Sequence, residues 1–553
     1  MSDTTAGLIQ VGLLLVALAV VYRPFGDYMA RVFSAEKHSR FEKGFYKVVR
    51  VDPASEQRWP TYAAGVLGIS LASIILLYLL QRLQPLLPWN FGRGSVSPGV
   101  AFNTAVSFVT NTNWQSYVPE TTMGHFVQMA GLTVQNFLSA GVGLAVAIAV
   151  TRGFIRSRTD RLGNFWVDLT RGTIRILLPM SFVFAIVLMA LGVIQSLHSG
   201  VAVTNPDGSQ STIALAPAAS QEAIKELGTN GGGILNANSA HPFENPNVWS
   251  NLVELFLILV IPVSLTRTFG KLVGNKKQGY VLLSVMGGLW AAMGAVTWLS
   301  EALTNSPAAL AAGANMEGKE QRFGLSLTSI FADTTTGTST GAVNGAHDSL
   351  SGLGGGGPLL NMLFGEISPG GVGTGLYGIL VMAIIAMFLA GLMVGRTPEY
   401  LGKKLGKREV TSAAISMLAM PTVVLIGAGI ALMMPDTLGA LGNSGAHGLS
   451  EVLYGYASTG NNNGSAFGGL TATSNWFQSS FAVAMALGRF VPIIAVLCLA
   501  GSLASQKKVP ETAGTLPTTG PLFGTMLTGT IVLVAALTFI PALALGPIAE
   551  ALA

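Results

Sequence analysis

The sequence of 553 residues contains little charge. Aspartate, glutamate, lysine and arginine together make up 10 % of it, and hydrophobic residues make up 50 %. A soluble protein of ordinary composition is about one quarter charged, so these few charged side chains cannot cover the surface of such a protein. The composition therefore excludes a conventional soluble protein and predicts an integral membrane protein.

Cysteine and histidine are also scarce. The chain has one cysteine, Cys498, and six histidines, which excludes an internal disulfide framework and offers no spacing for a structural zinc site. The nucleotide-binding pattern G-x-x-x-x-G-K-[ST] does not occur either. We therefore predict no catalytic residues and no organic cofactor in this chain.

Long hydrophobic stretches, by contrast, are abundant. A helix needs roughly 20 apolar residues to cross the bilayer core, and ten stretches are long enough. They lie at about 6–22, 62–80, 124–150, 175–195, 248–266, 280–300, 376–395, 410–433, 479–503 and 522–547. If the first span runs inward, 25 of the 31 basic residues lie in inside loops, as the positive-inside rule requires. This orientation predicts that both termini lie outside, and it attributes the net charge of +5 to topology rather than to a nucleic-acid partner.

Four outside connections share one order: a short amphipathic stretch, a segment rich in threonine, glycine and asparagine, and the next long span. Taking Asn111, Gly231, Gly341 and Gly464 as equivalent points gives spacings of 120, 110 and 123 residues, which indicates a fourfold internal repeat. We predict an all-α membrane protein with four span–pore-loop–span repeats and one extra helix at each end. The predicted parts are 1–60, the four repeats 61–160, 161–278, 279–395 and 396–505, and the C-terminal part 506–553.

The residue types of the four polar segments suit a dehydrated cation. A short helix of about 10–13 residues measures ~15–20 Å, so each can enter the membrane from outside and end near its middle. Non-helical backbone is tolerated at that depth only where protein buries it or water lines it. Backbone carbonyls and Thr or Asn side chains can replace the water around an alkali cation, and glycine turns carbonyls inward without a Cβ clash.

Several stretches resemble the A subunit of the bacterial Kdp potassium-uptake ATPase, over essentially the whole chain. These stretches are SFVTNTNWQS (107–116), GTNGGG (228–233), GAVN (341–344), HDS (347–349), FGEISPGGVGTGLY (364–377) and NNNGSA (461–466). The resemblance implies a K⁺ selectivity filter, with Gly231, Gly341 and Gly464 as filter glycines and Asn111 in their place in the first repeat. The other filter residues that it implies are Thr112, Thr229, Asn230, Thr340, Asn462 and Asn463.

Three residues near the filter segments are predicted to support them by hydrogen bonds: Asn113, Gln115 and Asn238. Ordinary loop residues are the alternative for Gln115 and Asn238. No T-V-G-Y-G signature of classical K⁺ channels occurs, and the first repeat has asparagine where the others have glycine. The predicted filter therefore has four unlike sides.

Ten glycines lie between positions 352 and 375, where a straight helix is disfavoured because each interior glycine costs up to about 1 kcal/mol. By composition alone, a flexible outside linker remains an alternative for this stretch. The resemblance implies instead a broken third-repeat helix whose loop lies under the filter as a gate, with Gly370, Gly371 and Gly373. Arg489 lies mid-span, where charge is expensive. It is either part of a buried ion pair or a gate residue just below the filter.

The resemblance further implies the channel-like subunit of an ATP-driven, high-affinity K⁺ importer in the bacterial inner membrane. Its implied partners are the P-type ATPase subunit KdpB, which hydrolyses ATP, and the smaller subunits KdpC and KdpF. A secondary K⁺ transporter of the Trk/Ktr/HKT kind is the alternative. Proton symport is poorly supported, because Glu254 is the one carboxylate well inside a predicted span. A membrane enzyme has no candidate residues.

Overall fold

The structure, a computed structural model, describes residues 2–304, 311, 313, 315–510 and 515–552. Within these residues ten helices are long and apolar enough to cross a membrane, so the predicted all-α membrane protein with ten spans is confirmed. The spans, numbered one to ten in chain order, are Asp3–Ser34, Trp59–Arg82, Val127–Ile155, Phe165–Ala190, Val248–Leu272, Lys276–Leu303, Thr374–Val394, Lys407–Leu432, Asn475–Ser505 and Pro521–Leu552.

Several spans are longer than the hydrophobic stretches that predicted them. The fourth begins ten residues early, at Phe165, where the Asn164 side chain caps it by accepting the Trp166 backbone N–H at 3.0 Å. Its first turns carry Asp168, which is buried and paired with Arg152 across 2.5 Å. Because these charges are paired, the helix includes residues that the hydropathy pattern had excluded from the predicted span.

Four short helices precede the third, fifth, seventh and ninth spans. They are Pro98–Val109, Ala218–Leu227, Gly324–Thr336 and Gly445–Asn461. The third has 13 residues, and the fourth has 17, which exceeds the predicted length of about 10–13 residues. In the third, Thr336 donates its hydroxyl to the Ala332 carbonyl at 2.7 Å, so a polar residue adds a turn without leaving an unpaired group.

The core of the molecule lies where the second span of each repeat packs. The buried share of the most apolar stretch is 83, 67, 61 and 50 % in the third, fifth, seventh and ninth spans. It is 28 % or less in the first helix of each repeat, which is the second, fourth, sixth or eighth span. The first span packs along the fifth, and the tenth packs against the sixth and seventh. Four inner helices thus surround the short helices, and outer helices shield them.

The glycine-rich stretch of the third repeat divides into two parts. Its first five glycines lie inside a helix, Gly352–Leu363, that precedes the seventh span. There the glycines allow close packing, because a Cβ at Gly354 would lie 2.0 Å from Glu301 Oε1 and one at Gly357 2.2 Å from Thr297 Oγ1. Four of the later glycines, Gly365, Gly370, Gly371 and Gly373, fall in the non-helical loop 364–373, and Gly375 lies in the first turn of the seventh span.

The remaining elements are short and lie in the connections. Three antiparallel strand pairs occur in the described residues: Gln57–Arg58 with Arg161–Gly163, Gly200–Thr204 with Gln210–Ala214, and Glu399–Tyr400 with Lys403–Lys404. The small helices are Arg40–Val48, Pro119–Thr122 and Pro435–Leu438, with 3₁₀ turns at Gln84–Leu86, Asn238–Ala240 and His347–Ser349.

A histidine ties the C-terminal span to the fourth short helix. His447 lies between two carboxylates, with Nε2 2.9 Å from Asp348 Oδ1 and Nδ1 2.8 Å from Glu550 Oε1. Hydrogen bonds to Asp348 and then to Glu550 raise the pKa of His447 from 6.5 to about 10. The protonated ring therefore stabilises the fold fully below pH 6.5, and this contribution disappears as the pH rises through about 10.

We expect this contact to make thermal stability fall in alkaline solution. Between pH 7 and about 10 the apparent melting temperature should drop by roughly 2 °C more in the unsubstituted chain than in His447→Gln. Scanning fluorimetry across that range measures the drop, and the exposed His198→Gln variant should behave like the unsubstituted chain. Equal drops in all three proteins would show that His447 does not act as this proton-dependent contact.

Candidate functional site

The four predicted polar segments share one backbone conformation. After each short helix two residues, separated by one other, have positive φ. These pairs are Asn111 and Asn113 (+66° and +57°), Thr229 and Gly231 (+47° and +68°), Ser339 and Gly341 (+55° and +81°), and Asn462 and Gly464 (+64° and +97°). Positive φ is uncommon outside glycine, so four matched pairs mark one structure built four times.

Backbone hydrogen bonds fix the correspondence between the repeats. The residue between the two positive-φ positions donates its N–H to the carbonyl five residues earlier, at 2.7–3.1 Å, in Thr112, Asn230, Thr340 and Asn463. Asn113 therefore stands where Gly231, Gly341 and Gly464 stand, with spacings of 118, 110 and 123 residues. This corrects the equivalence drawn from the sequence, which put Asn111 in that place.

The four segments meet edge to edge in a closed ring. A Cβ at Gly231 would lie 1.8 Å from the Thr340 carbonyl oxygen, and one at Gly341 would lie 2.2 Å from that of Asn463. A Cβ at Gly464 would lie 1.8 Å from the Thr112 carbonyl oxygen. Real Cβ atoms do not approach so closely, so glycine is required at these three junctions.

The fourth junction, between the first and second segments, is closed by side chains. Asn113 donates Nδ2–H to the Gly231 carbonyl at 3.1 Å. Gln115 donates to the Gly233 carbonyl at 3.0 Å and accepts the Gly233 N–H at 2.9 Å. Asn238 Oδ1 lies next to the second segment, 2.9 Å from where a Cβ at Gly233 would be.

Threonine and asparagine side chains of the ring mostly brace it. Asn111 donates to the Thr229 carbonyl at 2.7 Å, and Asn462 donates to Thr112 Oγ1 at 2.9 Å. Asn230 and Asn463 likewise donate to neighbouring groups, and the Thr340 hydroxyl pairs with that of Thr338 at 2.7 Å. The sequence predicted these side chains as oxygen ligands. Their amides use N–H groups within the protein, whereas the Oδ1 atoms of Asn113 and Asn230 are buried and have no hydrogen-bond partner among the described residues.

The loop 364–373 lies against the inner end of the short helices. Gly370 donates its N–H to the carbonyl of Gly337, which caps the third short helix, at 2.8 Å. Val372 donates its N–H to Thr229 Oγ1 at 2.8 Å. The loop therefore contacts two of the four segments directly.

Its other contacts reach the third span. A Cβ at Gly373 would lie 2.0 Å from the Gly143 carbonyl oxygen, and one at Gly371 would lie 3.1 Å from Ser339 Cβ. Ser339 in turn donates its hydroxyl to the buried Glu366 carboxylate. The predicted gate glycines are thus packed against both the ring and a core span.

Arg489 is 4 % exposed and lies beside this loop. Its Nη2 donates to the Ser139 carbonyl at 3.4 Å and lies 3.5 Å from where a Cβ at Gly143 would be. In the described residues no carboxylate lies within 4 Å of its guanidinium, so the alternative of a close buried ion pair is not supported.

Arg489 also lines a cavity of about 130 Å³. Ser339 and Asn462 of the ring, Glu366 of the loop and residues of the seventh to tenth spans line the same space. Ser339 and Glu366 are functional candidates that the sequence reasoning missed. Ser339 was detectable, because it occupies the position of Thr229 in the matched motif, whereas no sequence signal placed Glu366 beside the ring.

The ring has the properties of a cation site. The oxygens at three of its junctions are the neutral backbone carbonyls of Thr112, Thr340 and Asn463, and carbonyls of this kind replace the hydration shell of K⁺ in known filters. Four short helices end at it, and the partly negative C-terminal ends of helices favour a cation. The polar ring residues that carry the non-helical backbone are buried, as its position in a membrane requires.

Comparison with known proteins gives closely similar relatives. The family described as "KdpA: Potassium-transporting ATPase A subunit" matches residues 12–552. A protein of Rhodococcus erythropolis is 64 % identical over 560 residues, and proteins of Nocardia farcinica and Streptomyces coelicolor are 61 and 56 % identical over 560 and 553 residues. Each alignment covers 100 % of both chains, and each relative is named potassium-transporting ATPase potassium-binding subunit.

A solved structure is similar in fold. It is the crystal structure of the potassium transporter TrkH from Vibrio parahaemolyticus, with a TM-score of 0.53 and 13 % identity. The similarity covers 89 % of this chain and 96 % of that one. At this identity the likeness concerns the fold alone.

Proposed function

This chain belongs to the potassium-transporting ATPase A subunit family, and from that premise we propose that it binds K⁺ from outside in the four-segment ring and passes it inward. It is a multi-pass membrane protein of a K⁺-transporting family. In this proposal the ring is the selectivity filter, and the chain is the channel-like subunit of a high-affinity importer.

One observation carries the proposal: three glycines and Asn113 bring four carbonyl-bearing segments into contact around one closed ring. A Cβ added to Gly231, Gly341 or Gly464 would lie only 1.8–2.2 Å from a carbonyl oxygen of the next segment. Neutral carbonyl oxygens suit a monovalent alkali cation, and no lysine or arginine lies in the ring segments.

The path inward would run past the loop 364–373 into the cavity that Glu366 and Arg489 line. The loop obstructs this path as a gate, and the positive charge of Arg489 limits how long K⁺ stays beneath the filter. Two hydrogen bonds support the role of the loop as a gate. The loop donates to Thr229 and to Gly337, so a movement of the loop would displace residues of the ring segments.

ATP hydrolysis would be done by a partner, the P-type ATPase subunit KdpB, in a complex with KdpC and the small KdpF. The relatives at 56–64 % identity carry names of an ATPase subunit, which favours this over the secondary transporter of the Trk/Ktr/HKT kind. We place the chain in the bacterial inner membrane, surrounded by lipid, with both termini extracytoplasmic.

Copurification tests this function. A tagged chain expressed with its genomic neighbours should retain a P-type ATPase subunit, and K⁺ should stimulate ATP hydrolysis by that complex. Vesicles that contain this chain alone should show no sustained K⁺ accumulation. Sustained uptake by the chain alone would overturn the subunit role and favour a secondary transporter.

Replacing Arg489 tests the gate region separately. Removal of a buried positive charge beside the path should lengthen K⁺ residence, because two like charges no longer repel each other. We expect Arg489→Gln to lower both the apparent KM for K⁺ and the maximal uptake rate by about threefold or more. Arg489→Lys should stay close to the unsubstituted chain. Unaltered affinity and selectivity in Arg489→Gln would rule out a role in the path.

A further inference from the structure

A second cluster of charge lies behind the second short helix, away from the ring. Glu222 and Glu226 project from that helix and Glu254 from the fifth span, and all three are at most 1 % exposed. One carboxylate oxygen from each lies within 4.8 Å of the others. Three buried carboxylates at this distance have to be neutralised by a cation or by protons, because burying uncompensated charge costs several kcal/mol per ion.

The one ammonium group in the cluster is already used. Lys225 Nζ lies 2.7 Å from Glu222 Oε2 and 2.7 Å from Glu244 Oε2. Glu244 also accepts two backbone N–H groups at 2.8 and 3.1 Å, and Glu222 Oε1 accepts the Ser239 hydroxyl at 3.0 Å. These bonds satisfy Glu222, Glu244 and Lys225 together.

Glu254 is left without a partner. It is 0 % exposed, and neither of its carboxylate oxygens has a hydrogen-bond donor among the described residues. Glu226 Oε2 is also unpartnered, while Glu226 Oε1 accepts the Ser239 hydroxyl at 3.4 Å and lies 3.9 Å from Lys225 Nζ. With four carboxylates and one ammonium group, the fully ionised cluster carries a formal charge of −3.

We propose that Glu222, Glu226 and Glu254 bind one Ca²⁺ ion that is not transported. Ca²⁺ takes oxygen ligands at about 2.3–2.6 Å, so two of its ligands lie at most roughly 5 Å apart, as these carboxylates do. A charge of +2 offsets most of the excess negative charge. Mg²⁺ suits the cluster less well, because it usually keeps several waters and these carboxylates are fully buried.

The ion would join the second short helix to the fifth span. Glu222 and Glu226 belong to the helix that leads into the ring, and the Lys225 carbonyl between them accepts the N–H groups of Asn230 and Gly231 at 2.7 and 3.2 Å. The site therefore supports one side of the ring from behind. It holds an ion independently of whether the ring binds K⁺.

Direct binding of Ca²⁺ tests the site. The full-length chain, stripped with a chelator, is equilibrated with radioactive Ca²⁺ in K⁺-free and K⁺-containing buffer. We expect one Ca²⁺ per chain in both buffers and a higher apparent melting temperature with Ca²⁺ than with chelator. Glu254→Gln and Glu226→Gln should lower the affinity at least about tenfold and remove the thermal shift.

Two variants serve as matched controls. Asp333→Asn changes a buried carboxylate of the third short helix, which accepts Asn361 Nδ2–H at 2.8 Å, and should keep its Ca²⁺. Asp348→Asn changes the outer cluster around His447 and should keep it as well. Glu254→Gln removes an unpaired buried charge, so it should fold, and its melting temperature in chelator shows whether it does.

Three results would overturn the site. One is the absence of Ca²⁺ binding to the unsubstituted chain, which would mean that protons alone neutralise the cluster. Another is retention of Ca²⁺ in folded Glu254→Gln with loss in Asp348→Asn, which would place the ion in the outer cluster. Should Glu254→Gln fail to fold, Glu226→Gln replaces it, and unchanged Ca²⁺ affinity in that variant would equally exclude the site. None of these results bears on K⁺ transport by the ring.

Discussion

Replacing Gly464 by alanine is expected to lower the affinity for K⁺ by at least about 100-fold. The new Cβ would lie 1.8 Å from the Thr112 carbonyl oxygen, and the backbone at this position has φ of +97°. Strain of about 1–3 kcal/mol in the backbone adds to the clash, so the fourth segment must move away from the first. The K⁺ dependence of ATP hydrolysis by the purified complex measures the loss.

Gly208→Ala is the matched control for this substitution. Gly208 has φ of +83° in an exposed hairpin, and an added Cβ there would have no neighbouring atom within 4 Å, so the variant carries the backbone strain without the clash. Its K⁺ affinity should stay within about twofold of the unsubstituted chain. An affinity in Gly464→Ala as high as in Gly208→Ala would mean that K⁺ is not bound between these segments.

Replacing Gly373 by alanine is expected to lower the K⁺ uptake rate at least about tenfold. A Cβ there would lie 2.0 Å from the carbonyl oxygen of Gly143 in the third span, at φ of +87°. Because that span is packed in the core, the loop gives way instead and is pushed toward the path. The Val372 N–H bond to Thr229 is then strained or lost. Uptake by cells that lack other K⁺ uptake systems measures the effect.

The same loop provides the control. Gly365 has φ of +85° and no neighbour within 4 Å of an added Cβ, so Gly365→Ala stiffens the loop without displacing it. Uptake should change less than about threefold in this variant. Equal amounts of assembled complex have to be verified for both proteins. If Gly373→Ala transported K⁺ as fast as Gly365→Ala, the packed position of the loop would have no part in transport.

The fold was largely predictable from the sequence. The bilayer constrains which residue types can stand at each position along the chain. The ten hydrophobic stretches, the distribution of basic residues and the four matching polar segments follow from this constraint. Helix ends were less predictable, because pairs such as Asp168 with Arg152 extend a helix through turns that hydropathy excludes. Such pairs depend on residues brought together only by the fold.

The candidate site was predictable in its glycines and less so in its polar residues. Glycine is required at Gly231, Gly341 and Gly464 for the same reason, which is a positive φ next to the backbone of the next segment. The recurring motif therefore reveals these positions in the sequence. Asn111 and Asn113 are the same residue type two positions apart, so only backbone hydrogen bonds distinguish them. Glu366 reaches Ser339 through a loop whose course no local pattern describes.

The most direct measurement is an anomalous-scattering map of crystals of this chain grown with Tl⁺, a heavy substitute for K⁺. We expect Tl⁺ on the axis of the ring, coordinated by the carbonyl oxygens of Thr112, Thr340 and Asn463, and displaced by excess K⁺. The absence of Tl⁺ from the ring, with strong K⁺-displaceable Tl⁺ elsewhere in the chain, would contradict the assignment of the ring as the K⁺ filter.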